Sequence, residues 1–203
     1  MKKHCITFLF FLLTGIAHAQ SVHTSELLKN PSFEEEAKPI RNRRFGPNGE
    51  GELFGGYPPE GIILGWIIPE ENVESSKIEI TTENLLDTAQ HKALRWEISE
   101  APTTIANVGK QGIKAVMGGK YTLTFWARSD KKYKGKILVG LQSKDNERTW
   151  YAQTKVKGKI KKHWKMYTIT FTAEGDDRKA RFVMKGNKPG TIYLDCVSLT
   201  IAD

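Results

Sequence analysis

Short runs of alternating apolar and polar residues, separated by Gly, Asn, Asp and Lys turns, make up most of the chain after its first 19 residues. A period of two is that of a half-buried β-strand, and no stretch has the 3.6-residue period of an amphipathic helix. The pattern predicts nine strands, at residues 77–81, 93–99, 103–108, 120–129, 136–142, 149–156, 164–173, 180–185 and 191–201. Strands in this number predict an all-β fold, a β-sandwich or jelly roll.

The strand predicted at residues 120–129 follows a glycine turn and has two different faces. One face carries Tyr121, Leu123, Phe125 and Ala127, which predicts that it lies in the core. Trp126 and Arg128 share the other face with two threonines. An aromatic ring can cover the apolar side of a pyranose while guanidinium and hydroxyl groups hydrogen-bond its rim, so this face is a candidate sugar-binding surface.

Three further residues are candidates for the same chemistry. Gln142 would join Trp126 and Arg128 if its strand packs alongside theirs, and Trp150 with Tyr151 would form a second aromatic platform after the polar turn at residues 144–148. The other tryptophans are expected in the core, as most are in a sandwich: Trp66, Trp96 and Trp164.

The N-terminus has the organisation of a secretory signal peptide. Lys2 and Lys3 precede an apolar run at residues 6–17, and Ala17-His18-Ala19 is a small-x-small cleavage site. Residues 1–19 are therefore predicted to be a signal peptide and residues 20–203 a single mature domain, secreted to the periplasm or the extracellular space. No later segment is long and apolar enough to be a transmembrane helix.

Residues 36–61 show neither the strand period nor the helix period. The segment is rich in Gly and Pro and contains Arg41-Asn42-Arg43-Arg44, and we expect a long irregular loop there. Disorder and a role in binding are both compatible with such a loop.

The formal net charge of +8 would fall to +6 on removal of Lys2 and Lys3, which leaves a moderately basic surface. Such a surface favours acidic polysaccharides or simply aids solubility. The lysines of residues 155–165 alternate with apolar residues, which is typical of the solvated face of a hairpin or of a protected edge strand. Nucleic acid is not expected as a partner, because the chain carries no nucleic-acid-binding motif.

Enzymatic chemistry is not indicated by the residues. The neighbouring acids Glu34 with Glu36 and Glu70 with Glu71 do not predict the fixed separation of two carboxylates that a glycosidase needs. The histidines have no zinc-site spacing, and the chain lacks a Gly-x-Ser-x-Gly elbow. Cys196 is the only cysteine after the predicted cleavage site, so no disulfide can form within the mature domain.

Four segments in order resemble carbohydrate-binding modules of the family 4, 9 and 22 group: residues 27–35 (LLKNPSFEE), 65–66 (GW), 119–128 (GKYTLTFWAR) and 190–199 (GTIYLDCVSL). Within that group, residues 84–87 (NLLD), 93–96 (ALRW) and 107–113 (NVGKQGI) are similar to the module attached to family 51 α-L-arabinofuranosidases. The catalytic barrel of those enzymes has no counterpart in this sequence, so the resemblance is to the module alone.

The resemblance implies a galactose-binding-domain-like jelly roll with a concave, glycan-holding sheet and a structural Ca²⁺. Glu34 and Asp195 would be carboxylate ligands of that ion; alternatively, Glu34 caps a turn and Asp195 accepts backbone hydrogen bonds. The implied function is non-catalytic binding of a polysaccharide such as arabinan or xylan, beside a glycoside hydrolase. The alternatives are a structural or protein-interaction sandwich without sugar affinity and a non-catalytic fragment of an arabinofuranosidase.

Overall fold

The structure is a computed structural model that describes residues 25–35, 40–45, 51–56, 63–69, 72–83, 85–86, 92–109 and 112–202. For residues 40–45, 51–56 and 202 it describes the backbone alone. The predicted signal peptide at residues 1–19 lies outside the described residues. Within them, no helix is long and apolar enough to cross a membrane.

Two antiparallel sheets form the domain. Sheet I has the order β12 (Lys165–Thr172), β9 (Lys120–Ser129), β14 (Gly190–Ala202), β6 (Ala93–Ile98), β5 (Ser76–Thr81), and β1 (Ser25–Glu26) also pairs with β14. Sheet II has the order β11 (Trp150–Lys155), β10 (Ile137–Gln142), β13 (Asp177–Gly186), β7 (Thr103–Asn107), β4 (Trp66–Ile67), and β8 (Ile113–Ala115) pairs with β13. The β-sandwich prediction is therefore confirmed.

The core lies between the inner faces of the two sheets. Strand β9 contributes Tyr121, Leu123, Phe125 and Ala127, all completely buried, as the alternation predicted. Two of these rings stack on rings of β12, Phe125 on Tyr167 at 5.3 Å and Tyr121 on Phe171 at 5.6 Å between ring centroids. Sheet II supplies the opposing layer: Ile105, Ile137, Val139, Leu141, Phe182 and Met184. Each such side chain contributes about 1.5–3 kcal/mol by its burial.

The tryptophan predictions are confirmed in two cases and wrong in one. Trp66 and Trp96 are completely buried, and the Trp66 ring contacts Phe33 at 5.2 Å between ring centroids. Trp164 is only half-buried and is not part of the core. The reason is its register: Tyr167 and other odd-numbered residues of β12 face inward, so position 164 falls on the outer side.

The nine predicted strands all exist, with ends that shift by a residue or so except at the start of β13. The prediction of an irregular loop at 36–61 is wrong at two places, where β2 (Ile40–Phe45) pairs with β3 (Gly51–Gly56) in a two-stranded sheet. Backbone hydrogen bonds hold such a hairpin without any apolar alternation, so the sequence pattern did not show it. The short strands β1, β4 and β8 have too few residues to show a period.

Candidate functional site

The predicted sugar-binding residues are divided between two opposite faces of the sandwich. Strands β9 and β10 are consecutive in the sequence but belong to different sheets. The expectation that Gln142 joins Trp126 and Arg128 is therefore wrong, because the connection between these strands crosses from sheet I to sheet II. Packed sheets lie about 10 Å apart with the core between them, so the two sets of side chains point in opposite directions.

On the outer face of sheet I, Arg128 is held between aromatic rings. Its Cζ atom lies 3.7 Å from the centroid of the Tyr193 ring and 5.6 Å from that of Trp164. Arg128 and Tyr193 are directly opposed across β9 and β14. The Nε and Nη2 atoms of Arg128 are buried and have no hydrogen-bond partner. Cation–π contact is thus the main interaction that this guanidinium makes.

Charged groups beside this stack neutralise one another. The Arg95 guanidinium donates to Glu79 at 2.6 Å and to Glu97 at 2.7 Å, and Lys77 forms an ion pair with Glu79 at 2.9 Å. The hydrogen bond from Lys77 and the Arg95 charge lower the pKa of Glu79, against an opposing effect of burial. These polar groups are already paired, so few remain for a ligand.

On the outer face of sheet II, three opposed residues form a row across three strands. Gln142 of β10 pairs in register with Trp150 of β11 and with Arg181 of β13. The Arg181 Nε–H donates to Gln142 Oε1 at 2.9 Å, and the Gln142 Nε2 donates to the Glu147 carbonyl oxygen. Gln142 is 5% and Arg181 is 8% exposed. The hydrogen bonds thus fix the guanidinium against Gln142, which separates it from the half-buried Trp150 on the other side of the row.

The terminal Nη groups of Arg181 are not engaged in this row. No described residue accepts a hydrogen bond from them, and neither Nη is enclosed without a partner. They are donors in a fixed position with access to solvent. The sequence indicated this residue only weakly, as a single arginine within the apolar run of residues 180–184.

Tyr151 follows Trp150 at a bulge in β11, where the register between β10 and β11 shifts. Its ring packs against the hydrophobic core and lies against Gly175. A hydrogen bond from Ser143 lowers the pKa of Tyr151, but a hydrogen bond to Asp177 with its charge, together with burial, outweighs that effect and raises the pKa overall. Its ring is therefore engaged in contacts within the domain, whereas Trp150 stands opposite Gln142 on the outer face.

The two predicted metal ligands are brought into the same region at the bulge of β14. Asp195 is 1% exposed; its Oδ1 accepts the Cys196 N–H at 2.7 Å, and its buried Oδ2 has no partner. Burial raises the pKa of Asp195 to about 7, and the negative charge of Glu34 adds to the shift. Glu34 is exposed, and its Oε1 accepts the Lys92 N–H at 3.1 Å.

Strained backbone surrounds these carboxylates. Asn30, Phe33 and Cys196 have left-handed φ angles of 51°, 62° and 45°, and the Val197 N–H donates to the Pro31 carbonyl oxygen at 2.8 Å. A buried carboxylate oxygen without a partner, near a second carboxylate, fits a hard cation. The described residues contain no group of three or more His, Cys, Asp or Glu side chains, so other ligands would be backbone or amide oxygens, which Ca²⁺ accepts.

Comparison with known proteins places the fold and the sequence in one class. The sequence model of the family described as "Carbohydrate binding domain" matches residues 25–190. The chain belongs to this family of carbohydrate-binding domains, whose members are non-catalytic modules. No curated protein matches the sequence.

Solved structures include chains that are similar to this one, and the first of them shares its fold. An arabinose-bound GH51 α-L-arabinofuranosidase is similar over 90% of this chain and 27% of its own, at 17% identity and a TM-score of 0.63. A CBM4 structure matches over 86% of this chain and 99% of its own, at 18% identity and a TM-score of 0.49. The chain spans about a quarter of the length of the arabinofuranosidase chain that it matches.

Proposed function

We propose that this protein is a non-catalytic module that binds a polysaccharide on the outer face of sheet II. The observation that carries the proposal is the row of Trp150, Gln142 and Arg181, in which a buried amide lies between a half-buried tryptophan and the guanidinium that the amide fixes. A sugar would stack on the Trp150 ring and accept hydrogen bonds from the free Nη groups of Arg181. Residues 1–19 would direct the module to the secretory pathway.

The pairing of charged groups on the two outer faces supports the choice of sheet II as the binding surface. The charges around Arg95 on sheet I are paired with one another, so a sugar that bound there would have to displace ion pairs. The Arg181 donors on sheet II are held in place before a ligand binds, and a sugar that accepted hydrogen bonds from them would not have to break an ion pair. Binding energy depends on this preorganisation, because a ligand then orders few side chains.

A structural Ca²⁺ near Asp195 is the second part of the proposal. The buried Oδ2 of Asp195 and the nearby Glu34 carboxylate would hold it, with further oxygens from the strained backbone around residues 30–35 and 196. The ion would stabilise the join between the segment that follows β1 and the last strand. It would take no part in binding the sugar.

Titration of the mature protein with soluble glycans, followed by tryptophan fluorescence and calorimetry, tests the function. The panel contains arabinan, arabinoxylan, xylan, β-glucan and pectin. We expect saturable binding to at least one glycan and a loss of about tenfold in Trp150→Ala, since a stacked ring contributes about 0.5–1.5 kcal/mol beyond its area.

Trp126→Ala is the matched control, because it removes a half-buried tryptophan from the opposite face of the sandwich. It should leave glycan affinity unchanged. Loss of affinity in Trp126→Ala but not in Trp150→Ala would move the site to sheet I. No binding by the wild-type protein to any member of the panel would reject the function.

A further inference from the structure

A basic cleft lies on the same side of sheet II as Trp150 and Arg181. It has a volume of about 520 Å³, and six of its ten lining residues are lysines: Lys134, Lys136, Lys155, Lys159, Lys185 and Lys188. The other lining residues are Pro102, Gly135, Leu138 and Asn187, so the lining contains no acid. The volume is in the range of about 300–1,000 Å³ that is usual for ligand sites.

The strand register brings these lysines together from distant parts of the chain. Leu138 of β10 is opposed by Lys155 of β11 on one side and by Lys185 of β13 on the other. Neighbouring strands are about 4.8 Å apart, so the backbones of Lys155 and Lys185 flank Leu138 with about 10 Å between them. Gln142 follows Leu138 by four residues on β10, which places the Trp150 row about 13 Å along the same face.

The rim of the cleft is held in place by buried groups. Asn187 Oδ1 accepts the Lys136 N–H at 2.7 Å, and the Tyr133 hydroxyl donates to the Lys136 carbonyl oxygen at 2.9 Å. Tyr133 is 3% exposed, and burial raises the pKa of its hydroxyl. Gly190, with φ 135°, packs directly on the Tyr133 backbone, where a Cβ atom would lie 2.5 Å from the Tyr133 nitrogen. The lysine-bearing turns are therefore fixed relative to one another.

None of the six lysines forms an ion pair with a described residue. Six like charges that converge on one cleft repel one another, and the cleft concentrates their positive potential. On sheet I, by contrast, Lys77 and Arg95 each have a carboxylate partner. An anionic ligand would supply the counter-charge that the protein itself does not place there.

We infer that this cleft binds the carboxylate groups of an acidic polysaccharide, one rich in uronic acid. The inference rests on the proposed function and names its substrate class. Lysine ammonium groups are mobile point charges, which suit carboxylates that recur along a flexible chain. The cleft has no arginine fork for bidentate phosphate contacts and no aromatic residue on which a nucleobase could stack, so nucleic acid fits it poorly.

The test compares polygalacturonic acid with its fully methyl-esterified form, which has the same backbone without the charges. The wild-type protein should bind the acid form at least tenfold more tightly at low salt, and NaCl should reduce that difference. Lys155→Gln with Lys185→Gln should weaken binding to the acid form at least tenfold. Binding to neutral glycans through Trp150 should stay the same.

The control is Lys120→Gln with Lys179→Gln, which removes two exposed lysines outside the cleft and makes the same change in net charge. Its affinity for polygalacturonic acid should fall by less than threefold. Equal losses in both double variants, or equal binding of the acid and its ester by the wild type, would overturn the inference. Comparable binding of dextran sulfate or single-stranded DNA would also overturn it, as a general attraction for polyanions.

The panel also separates this inference from the function on which it rests. Trp150-dependent binding of a neutral glycan without preference for polygalacturonic acid rejects the inference and leaves the function in place. Absence of binding to neutral and acidic glycans alike rejects both.

Discussion

The two outer faces of the sandwich use arginine in different ways. On sheet I, Arg95 is bound by two carboxylates, and Arg128 is stacked between Tyr193 and Trp164. On sheet II, Arg181 has a single neutral partner, Gln142, and its terminal nitrogens remain available. A guanidinium that is ion-paired or stacked within the domain contributes to packing, whereas one that is only positioned can meet a ligand.

The comparison extends to the other cations on each face. The described acids Glu79 and Glu97 are paired with basic residues on sheet I, while lysines without ion-pair partners gather on sheet II. Composition does not distinguish the two faces, since both combine aromatic and basic residues. The difference lies in whether the charges named here are paired, and the proposal of ligand contact on sheet II rests on it.

The largest expected effect is a change in the stability of the fold when Ca²⁺ binds near Asp195 of sheet I. Saturating Ca²⁺ at about 100 times its Kd should stabilise the fold by about 2.7 kcal/mol. For a domain of this size, that raises the Tm by roughly 5–10 °C. Asp195→Asn should abolish this response, and differential scanning calorimetry with Ca²⁺ and with EDTA measures both values.

In EDTA, Asp195→Asn should itself be more stable than the wild type. Burial raises the pKa of Asp195, so its ionised form is a cost to the fold that the neutral amide avoids. A Tm response to Ca²⁺ that survives in Asp195→Asn would place the ion elsewhere. Glu83→Gln, which changes an exposed acid in a different segment, serves as the control.

A smaller effect is expected on glycan affinity, where substitutions of Arg181 on sheet II and of Arg95 on sheet I should have different results. Arg181→Lys keeps the charge but loses the planar fork and the bond to Gln142, and we expect about tenfold weaker glycan binding by calorimetry. The matched variant Arg95→Lys should bind as tightly as the wild type. The assignment of sheet II would fail if Arg95→Lys were the weaker binder.

The smallest effect on glycan affinity is expected from Arg128→Met. The substitution loses cation–π contacts worth up to about 2 kcal/mol but also removes two buried nitrogens without partners, each of which costs about 1–3 kcal/mol. The cost that is removed, about 2–6 kcal/mol for the two nitrogens, is at least as large as the contacts that are lost, so urea unfolding should show no decrease in the free energy of unfolding. Glycan affinity should not change; a tenfold loss would show that Arg128 is a ligand-binding residue.

The alternation of apolar and polar residues predicts which side chains of a strand face the core and which face outward. The inner and outer residues of β9 follow from the amino-acid pattern alone because period two is set by backbone geometry, and Trp66 and Trp96 are core residues as expected of a sandwich. Asp195 and Glu34 could be proposed as partners only through family resemblance, since residues 161 positions apart show no local relationship.

The pattern does not show which sheet each strand joins. Consecutive strands suggest that Gln142 lies beside Trp126, but pairing between distant strands is decided by the packing of the whole core. The lysine cleft does not follow from the pattern for the same reason. Lys155 lies on the next strand along the chain, but Lys185 becomes a neighbour of Leu138 only through the pairing of β10 with the distant β13, although the basic surface itself is evident from the net charge.

Because β1 pairs with the end of β14, the first and the last strand of the fold lie side by side. Ser25 lies opposite Ile201, and opposed residues of antiparallel strands have Cα atoms about 5 Å apart. A loop of another protein could therefore receive the whole domain as an insertion, with both junctions at one point on its surface and little distortion of the host.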